Sequence, residues 1–357
     1  MTITLGSLFD GIGVFPLAAS RYGIEALWAS EIEKVPISIT KRHFPNMRHL
    51  GDITKLRGGD IPPVHIITFG SPCQNLSMIG QREGLTGEKS SLFHHAIRII
   101  KEMRCATNGK YPVIAVWENV RGAFSSNNRL DFRAVLESFT DTKIPMPLSG
   151  KWAGAGMVRG GTADVCWRLL DAQYWGEPSL AQRRKRIFIV ADFGGQRASE
   201  ILFKAHKLQL LSKTSREITM HFAKTNRIFI DKARGKIPIL CPFEERRIRG
   251  AGKNRDRKAF VRAFGRPDEP FPTLLAGSVN IFSFWYEGEE KEGYIRYLTP
   301  IECERLMGLP ENWTAFSDTG MLNSDHSRCR ALGNAIALPC AEYIMAGIAE
   351  TLEKSEE

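Results

Sequence analysis

The stretch TITLGSLFDGIG, residues 2–13, decides the fold class. Residues 2–9 read as a short apolar strand, and Gly11 and Gly13 follow it at once. A helical pattern then runs through Phe15, Leu17, Ala18, Arg21 and Tyr22 and stops at Gly23. Residues 24–29 (IEALWA) form a second strand that finishes at Glu31. Working outward, apolar runs recur at 65–69 (HIITF), 112–117 (PVIAVW) and 187–191 (IFIVA), with helical spacing over 91–103. Short β-prone runs alternating with helices predict an α/β fold with a largely parallel sheet. In such sheets ligands bind beyond the carboxyl ends of the strands. The chemically unusual residues all fall there.

Composition bounds the rest. The chain has 357 residues, 43% hydrophobic and 25% charged, which is globular and excludes wholesale disorder. At roughly 150 residues per domain, two domains are expected. No run approaches the ~18 apolar residues of a membrane span, and the first residues lack a basic flank and long apolar core. A soluble, cytoplasmic protein with no membrane partner is expected. Seven cysteines, at wide spacings and without a CxxC pair, give neither a disulfide framework nor a zinc site. The eight histidines form no ligand cluster; His94 and His95 are adjacent and so face different ways. No metal is expected.

The charge is localised. The chain carries 49 Lys and Arg against 39 Asp and Glu, a net of +10. Residues 201–270 hold 18 basic and 7 acidic residues, so the remainder is close to neutral. The densest part runs through Arg246, Arg247, Arg249, Lys253, Arg255 and Arg257, among glycines and Phe260, Phe264 and Phe271. A basic run alone is usually a solvated face. One confined to a single segment, with loops and aromatic residues, is the footprint of a polyphosphate partner. Residues 1–194 are therefore expected to form a catalytic domain and 195–290 a basic second domain. Residues 291–357 return to the first, with a capped helix after Thr299, Pro300 and Glu302 and a last helix over about 339–352.

Four constellations could carry chemistry. Phe9-Asp10-Gly11-Ile12-Gly13, with Glu31 after the next strand, lets a nucleoside approach the backbone while an acid accepts from ribose hydroxyls. Pro16 stands at the third glycine of the dinucleotide fingerprint, so a nicotinamide dehydrogenase is disfavoured and S-adenosylmethionine fits better. The turn Gly70-Ser71-Pro72-Cys73 places a thiol where backbone N–H groups could favour the thiolate. A lone cysteine is more often a small buried hydrophobe. Glu118 ends another buried strand and is a candidate acid. In Gln182-Arg183-Arg184-Lys185-Arg186, strand alternation puts Gln182, Arg184 and Arg186 on one face.

In this order the motifs resemble the DNA (cytosine-5)-methyltransferase family over nearly the whole chain apart from the basic segment. LFDGIG is similar to its cofactor motif, GSPCQNLS to its nucleophile motif, ENV (118–120) to its Glu-Asn-Val, and QRRKR to its Gln-x-Arg-x-Arg. RYLTPIECERLMGLPENW (296–313) and GNAIALP (333–339) resemble its last two blocks. The resemblance implies a Rossmann-like S-adenosylmethionine-dependent methyltransferase domain with a smaller target-recognition domain, acting as a monomer on double-stranded DNA, as in restriction–modification. It implies that Cys73 attacks a flipped-out cytosine, that Glu118 holds N3, and that Arg184 and Arg186 orient the base. Phe9, Gly11, Gly13, Glu31, Ile32, Asp52, Ile53, Pro72, Leu92, Asn334 and Ala335 would bind the cofactor. Gln74, Ser77, Thr273 and the basic run would contact DNA.

The chain departs from the family pattern in places. Ala335 stands where a Ser is usual, Ile32 where an aromatic residue often stacks on adenine, and Asp10 where a small residue is common. Ser179-Leu180-Ala181 intervenes between Pro178 and Gln182, which could displace Arg184 and Arg186. Two other functions compete: a transfer-RNA cytosine methyltransferase of the same fold, and a DNA-binding module without catalysis.

Overall fold

The computed structural model describes residues 2–71, 91–203, 238–247, 259–263, 270–276, 280–286 and 294–354. The chain forms two compact units: Met1–Leu170 with Lys185–His206 and Cys340–Glu357, and Asp171–Arg184 with Lys207–Pro339. These are not the divisions expected at 194 and 290. Residues 171–184 group with the second unit because Gln182 and Arg184 spend their side chains there, on Leu306 and Leu274. Residues 291–339 group with it too, and only 340–357 return to the first.

The first unit is built on an eight-stranded sheet in the order β3-β2-β1-β4-β5-β8-β7-β6. Its strands are β1 Thr4–Leu8, β2 Glu25–Ser30, β3 Arg48–His49, β4 Ile66–Phe69, β5 Ile114–Val120, β6 Ala155–Arg159, β7 Asp164–Asp171 and β8 Lys185–Asp192. Strands β1 to β5 are parallel. β8 runs antiparallel to β5, and β6 antiparallel to β7. The parallel half is the expected one, and β8 contains the expected run 187–191; β6 and β7 are not among the expected strands, and β6 alternates exposed and half-buried residues. Gly6 sits beneath Trp28, whose ring a Cβ would meet at 2.1 Å, and the β1–β2 register shifts between Leu5 and Gly6. Close approach of strand and indole requires glycine there.

Helix α1 (Val14–Ser20) follows Gly13, whose φ of 76° is the left-handed conformation glycine adopts without strain. Helices α2 (Lys34–His43), α3 (Ser91–Ala106), α4 (Leu130–Thr140) and α5 (Ala198–Phe203) follow in order. α3 places Phe93, Ala96, Ile97, Ile100 and Met103 in one core with Phe69, Trp117, Phe132 and Phe139. Each of the Phe, Ile and Met side chains among these, fully buried, contributes ~1.5–3 kcal/mol. The last helix, Leu338–Glu353, is closer to its expected span than most elements. It reaches α1 through the Arg21–Glu342 ion pair and α5 through the Tyr343 hydroxyl, which donates to Leu202 O at 2.7 Å.

The second unit holds a four-stranded antiparallel sheet in the order β10-β9-β11-β12. Its strands are β9 Pro238–Arg247, β10 Ala259–Ala263, β11 Asn280–Tyr286 and β12 Tyr294–Tyr297. Pro238 and Pro242 argue against a strand paired on both sides. They fall where β9 pairs only β11; both neighbours are present only at residues 243–244. Helix Pro300–Leu306 carries the expected capping box, Thr299 accepting from Glu302 N and Glu302 from Thr299 N. Among the described residues no single helix is long and apolar enough to cross a membrane.

Candidate active site

The sheet changes direction of winding at β1, which has β2 on one side and β4 on the other. The loops leaving β1 and β4 therefore part, and the crevice between them is where an open α/β sheet takes a ligand. Phe9–Gly13 leaves β1, Gly70 and Ser71 leave β4, and Glu31 follows β2.

The β1 turn is held by main-chain bonds. Asp10 N–H donates to Ser30 O at 3.1 Å and Gly13 N–H to Asp10 O at 3.2 Å. Phe9 adopts φ 53° and Gly11 φ 58°. A Cβ at Gly11 would meet nothing within 4 Å, so this turn faces open space. Glu31 braces the turn: Oε2 accepts from Gly11 N–H at 2.9 Å, and Oε1 from Ile32 and Glu33 N–H at 2.7 and 3.0 Å. Asp52 accepts from the Thr54 main chain and hydroxyl at 2.9 and 2.8 Å, which holds its carboxyl below the usual range. Ile53 beside it is buried, Leu92 is half-buried, and Ile32 is 70% exposed. An open glycine turn, two fixed carboxylates and an apolar floor suit the ribose and adenine of a nucleoside.

Asp10 is the residue sequence reasoning could not place. Both its carboxylate oxygens are buried and neither makes a hydrogen bond in good geometry. Burial pushes its pKa up to about 7; the nearby Ser7 hydroxyl opposes the rise and the Glu31 charge adds to it. Nothing in the sequence around Asp10 signals this, since the burial comes from the folding of the turn back onto β1.

Glu118 lies near the end of β5. Strand register places Val120 opposite Arg186 and Glu118 opposite Phe188, so Glu118 and Arg186 are diagonal neighbours on one face. Arg186 Nε sits 3.0 Å from Glu118 Oε1, with the two side chains 15% and 12% exposed. Gly70, at the end of neighbouring β4, lies so close that a Cβ would be 3.2 Å from Glu118 Oε2. Ser71 is tied to β5 twice, by Trp117 Nε1 to its hydroxyl and Asn119 Nδ2 to its carbonyl, each at 3.1 Å. The start of the Gly70–Cys73 turn is thus clamped against the Glu118 strand. Pro72, Cys73, Gln74 and Ser77 lie outside the described residues, as do Arg249, Lys253, Arg255 and Arg257. Arg246 and Arg247 lie on β9, opposite Phe260 and Ala259 of β10.

Leu180 and Ala181 are buried, and Gln182 and Arg184 alternate with the more exposed Arg183 and Lys185. Arg184, however, is only 1% exposed, and its guanidinium donates to main-chain carbonyls of Leu274 (3.0 Å), Gly333 (3.1 Å) and Ala335. These bonds hold the Arg184 guanidinium against main-chain carbonyls of the second unit. Thr273 Oγ1 donates to Arg183 O at 2.7 Å. Asn334 is exposed and Ala335 buried at the end of helix Asp325–Asn334. Among the described residues no cluster of His, Cys, Asp and Glu could hold a metal.

A glycine turn with an acid just after the next strand, at the switch of an α/β sheet and without the pyrophosphate fingerprint, fits an S-adenosylmethionine-dependent methyltransferase. Within that class the chain belongs to the C-5 cytosine-specific DNA methylase family, whose model matches residues 3–350. The type II methyltransferase M.Bsp6I of a Bacillus species is 25% identical over 360 residues, covering 99% of each chain. A protein of Escherichia phage P1 named DNA N-6-adenine-methyltransferase is 24% identical over 469 residues, covering 99% of this chain. The chain spans only 62% of that phage protein. The structure of Schizosaccharomyces pombe Dnmt2 methyltransferase superposes with a TM-score of 0.58 at 16% identity, covering 99% of this chain and 100% of that one. The last likeness is one of fold.

Proposed function

We propose that the protein methylates carbon 5 of cytosine in duplex DNA, at a base flipped out of the stack, through a covalent bond to Cys73. The observation that carries this reading is the Glu118–Arg186 pair beside the clamped start of the Cys73 turn. Carbon 5 of cytosine is a poor nucleophile until another nucleophile adds at carbon 6. Cys73 thiolate forms that S–C6 bond while Glu118 holds a proton at N3, so the electron pair moves to carbon 5. Arg186 fixes the Glu118 carboxyl and offers a charge-assisted donor to the base. S-adenosylmethionine supplies an electrophilic methyl group to carbon 5. Loss of the carbon 5 proton to a base then expels Cys73 and restores the ring.

For the cofactor, Phe9, Gly11 and Gly13 would line the turn, Glu31 would take the ribose, Asp52 and Ile53 the adenine, and Pro72, Leu92, Asn334 and Ala335 the rest. Gln74, Ser77, Thr273 and the basic run around Arg246–Arg257 would face DNA, whose phosphates the local excess of positive charge favours.

The name of the phage P1 relative raises transfer to the N6 amine of adenine as a second reading. An amine can attack a sulfonium methyl directly and needs no added thiol, which makes Cys73 and the Glu118–Arg186 pair superfluous there. The deciding experiment expresses the chain in a methylation-deficient bacterial host beside a Cys73→Ser control. Nucleoside mass spectrometry and single-base methylation sequencing should find 5-methylcytosine at one short DNA motif, lost in the control. N6-methyladenine instead, or modification confined to transfer RNA, would overturn the reading.

A further inference from the structure

Cys303 and Cys329 are well separated in the chain, yet the fold of the second unit brings their sulfurs together. Cys303 lies on helix Pro300–Leu306 and Cys329 on helix Asp325–Asn334. Between these helices Glu304 accepts from Arg328 Nη2 at 3.2 Å, and both side chains of that pair are buried. Each thiol is the chain neighbour of one member, so the ion pair fixes the helix spacing where the thiols meet. The Cys303 thiol donates a hydrogen bond to the Cys329 sulfur. Cys303 is 1% exposed, whereas Cys329 is half-buried. Asp325, one turn before Cys329 and therefore on the same helix face, has a side chain 79% exposed, so that face meets solvent.

Two thiols in contact differ from a buried one that only packs. Cys166, on β7, is of the second kind: burial pushes it up to about 12, which makes it inert. At Cys329 the hydrogen bond from Cys303 holds the thiol below its ordinary value, with help from the Arg328 charge and against burial and the Asp325 and Glu304 charges. The same bond, together with burial, raises Cys303. One sulfur is thus the better nucleophile and reachable, and the other is its protonated neighbour. We propose that Cys303 and Cys329 form a reversible oxidation site that takes a hydroperoxide and closes to a disulfide across the two helices. Cys329 thiolate attacks one peroxide oxygen, the O–O bond breaks, and the departing oxygen takes a proton and leaves as water or an alcohol. The sulfur is then a sulfenic acid. Cys303 gives up its proton and its sulfur attacks Cys329; the S–S bond forms, the S–O bond breaks, and the hydroxyl leaves with that proton as water. The thiol pair loses two electrons and the hydroperoxide gains them. A dithiol reductant reverses the bridge by exchange. Once closed, the bridge fastens the two helices and constrains residues 304–328 between them. The site uses neither Cys73 nor the methyl donor and is independent of the proposed function.

The test treats the full chain with hydrogen peroxide, stops the reaction by alkylation, and follows each cysteine by peptide mass spectrometry. The Cys303 and Cys329 peptides should appear joined, lighter than their sum by two hydrogen atoms, and should separate again with dithiothreitol. The exposed Cys105 is an internal reference, and the pair should be consumed about tenfold faster than it. Cys303→Ser should leave Cys329 as a sulfenic acid that dimedone traps, and Cys329→Ser should leave Cys303 unmodified over the same time. The wild-type bridge and its rate need no variant, so the test stands should either substitution prevent folding. Oxidised wild type should unfold at a higher urea concentration than reduced wild type, and dithiothreitol should erase the shift. Consumption no faster than at Cys105, sulfinic acid at Cys329 without a bridge, or a bridge that brings no gain against urea would each overturn the proposal.

Discussion

Arg186 Nε and Glu118 Oε1 are 3.0 Å apart, held across β5 and β8 by a register that makes them diagonal neighbours. The carboxyl therefore has a fixed position before any base arrives. Positioned proton-holding groups are worth about 10²–10⁴ in rate. Glu118→Gln should lower kcat by about that range while leaving DNA affinity within a few fold, and Arg186→Ala should do so by about 10²-fold because the carboxyl is then free to turn. Single-turnover methylation and gel-shift titration on the same duplex separate the two. Loss of binding equal to loss of rate would move both residues out of the chemistry.

The Cys73 bond to carbon 6 has a direct signature. If carbon 5 carries fluorine, no proton can leave after methyl transfer, and the thiol cannot be expelled. A duplex with 5-fluorocytosine at the target should stay attached to the protein on a denaturing gel, only when S-adenosylmethionine is present. Cys73→Ser should give no such band yet bind S-adenosylmethionine within a few fold of wild type. A band that persists in Cys73→Ser would assign the bond to another residue.

In the second unit, Glu304 is fully buried and accepts from Asn312 N–H at 2.7 Å, Thr314 N–H at 2.9 Å and Arg328 at 3.2 Å. Arg328 is itself 7% exposed on its side chain. Removing one partner of such a pair leaves an uncompensated buried charge. Glu304→Ala should lose ~3–5 kcal/mol of stability in urea unfolding. Arg305→Ala, whose partner Glu311 is half exposed, should lose under about 1 kcal/mol. Equal losses would mean the burial of Glu304 is not what matters.

The sequence makes some of this legible and hides the rest for physical reasons. β1, the Gly11–Gly13 turn and α1 are local: residue pattern and glycine φ determine them within a dozen positions. The Thr299–Glu302 capping box is equally local. Helix α2 buries only Ile39 and Thr40 and β6 is half exposed, so periodicity passes over them; α4 has its stripe in Phe132, Val135, Leu136 and Phe139, which the sequence reading did not use. The fate of Arg184 is the least local feature. Its acceptors are 90 to 151 residues away, and a run of four basic residues reads as solvated or catalytic until the fold supplies those carbonyls. Glu118 and Arg186 were both legible as motif residues, but their contact depends on β8 entering the sheet antiparallel to β5.

Asp10 gives the pH prediction. Its carboxyl is pushed from 3.8 to about 7 in the folded protein, chiefly by burial. Between those values the folded state keeps a proton that the unfolded chain has released. Stability from this group is then complete below pH 3.8 and falls as pH rises to about 7, by up to about 1.4 kcal/mol per pH unit. Asp10→Asn stays neutral throughout and removes this contribution. Urea unfolding at pH 5, 6, 7 and 8 should show the variant gaining on wild type with each step to about pH 7 and holding its advantage at pH 8. Above pH 7 the ionised Asp10 also faces Glu31, so the wild-type turn carries two like charges that the variant lacks. Parallel stability curves for the two proteins would mean that Asp10 ionises as freely when folded as when unfolded, and would refute its burial.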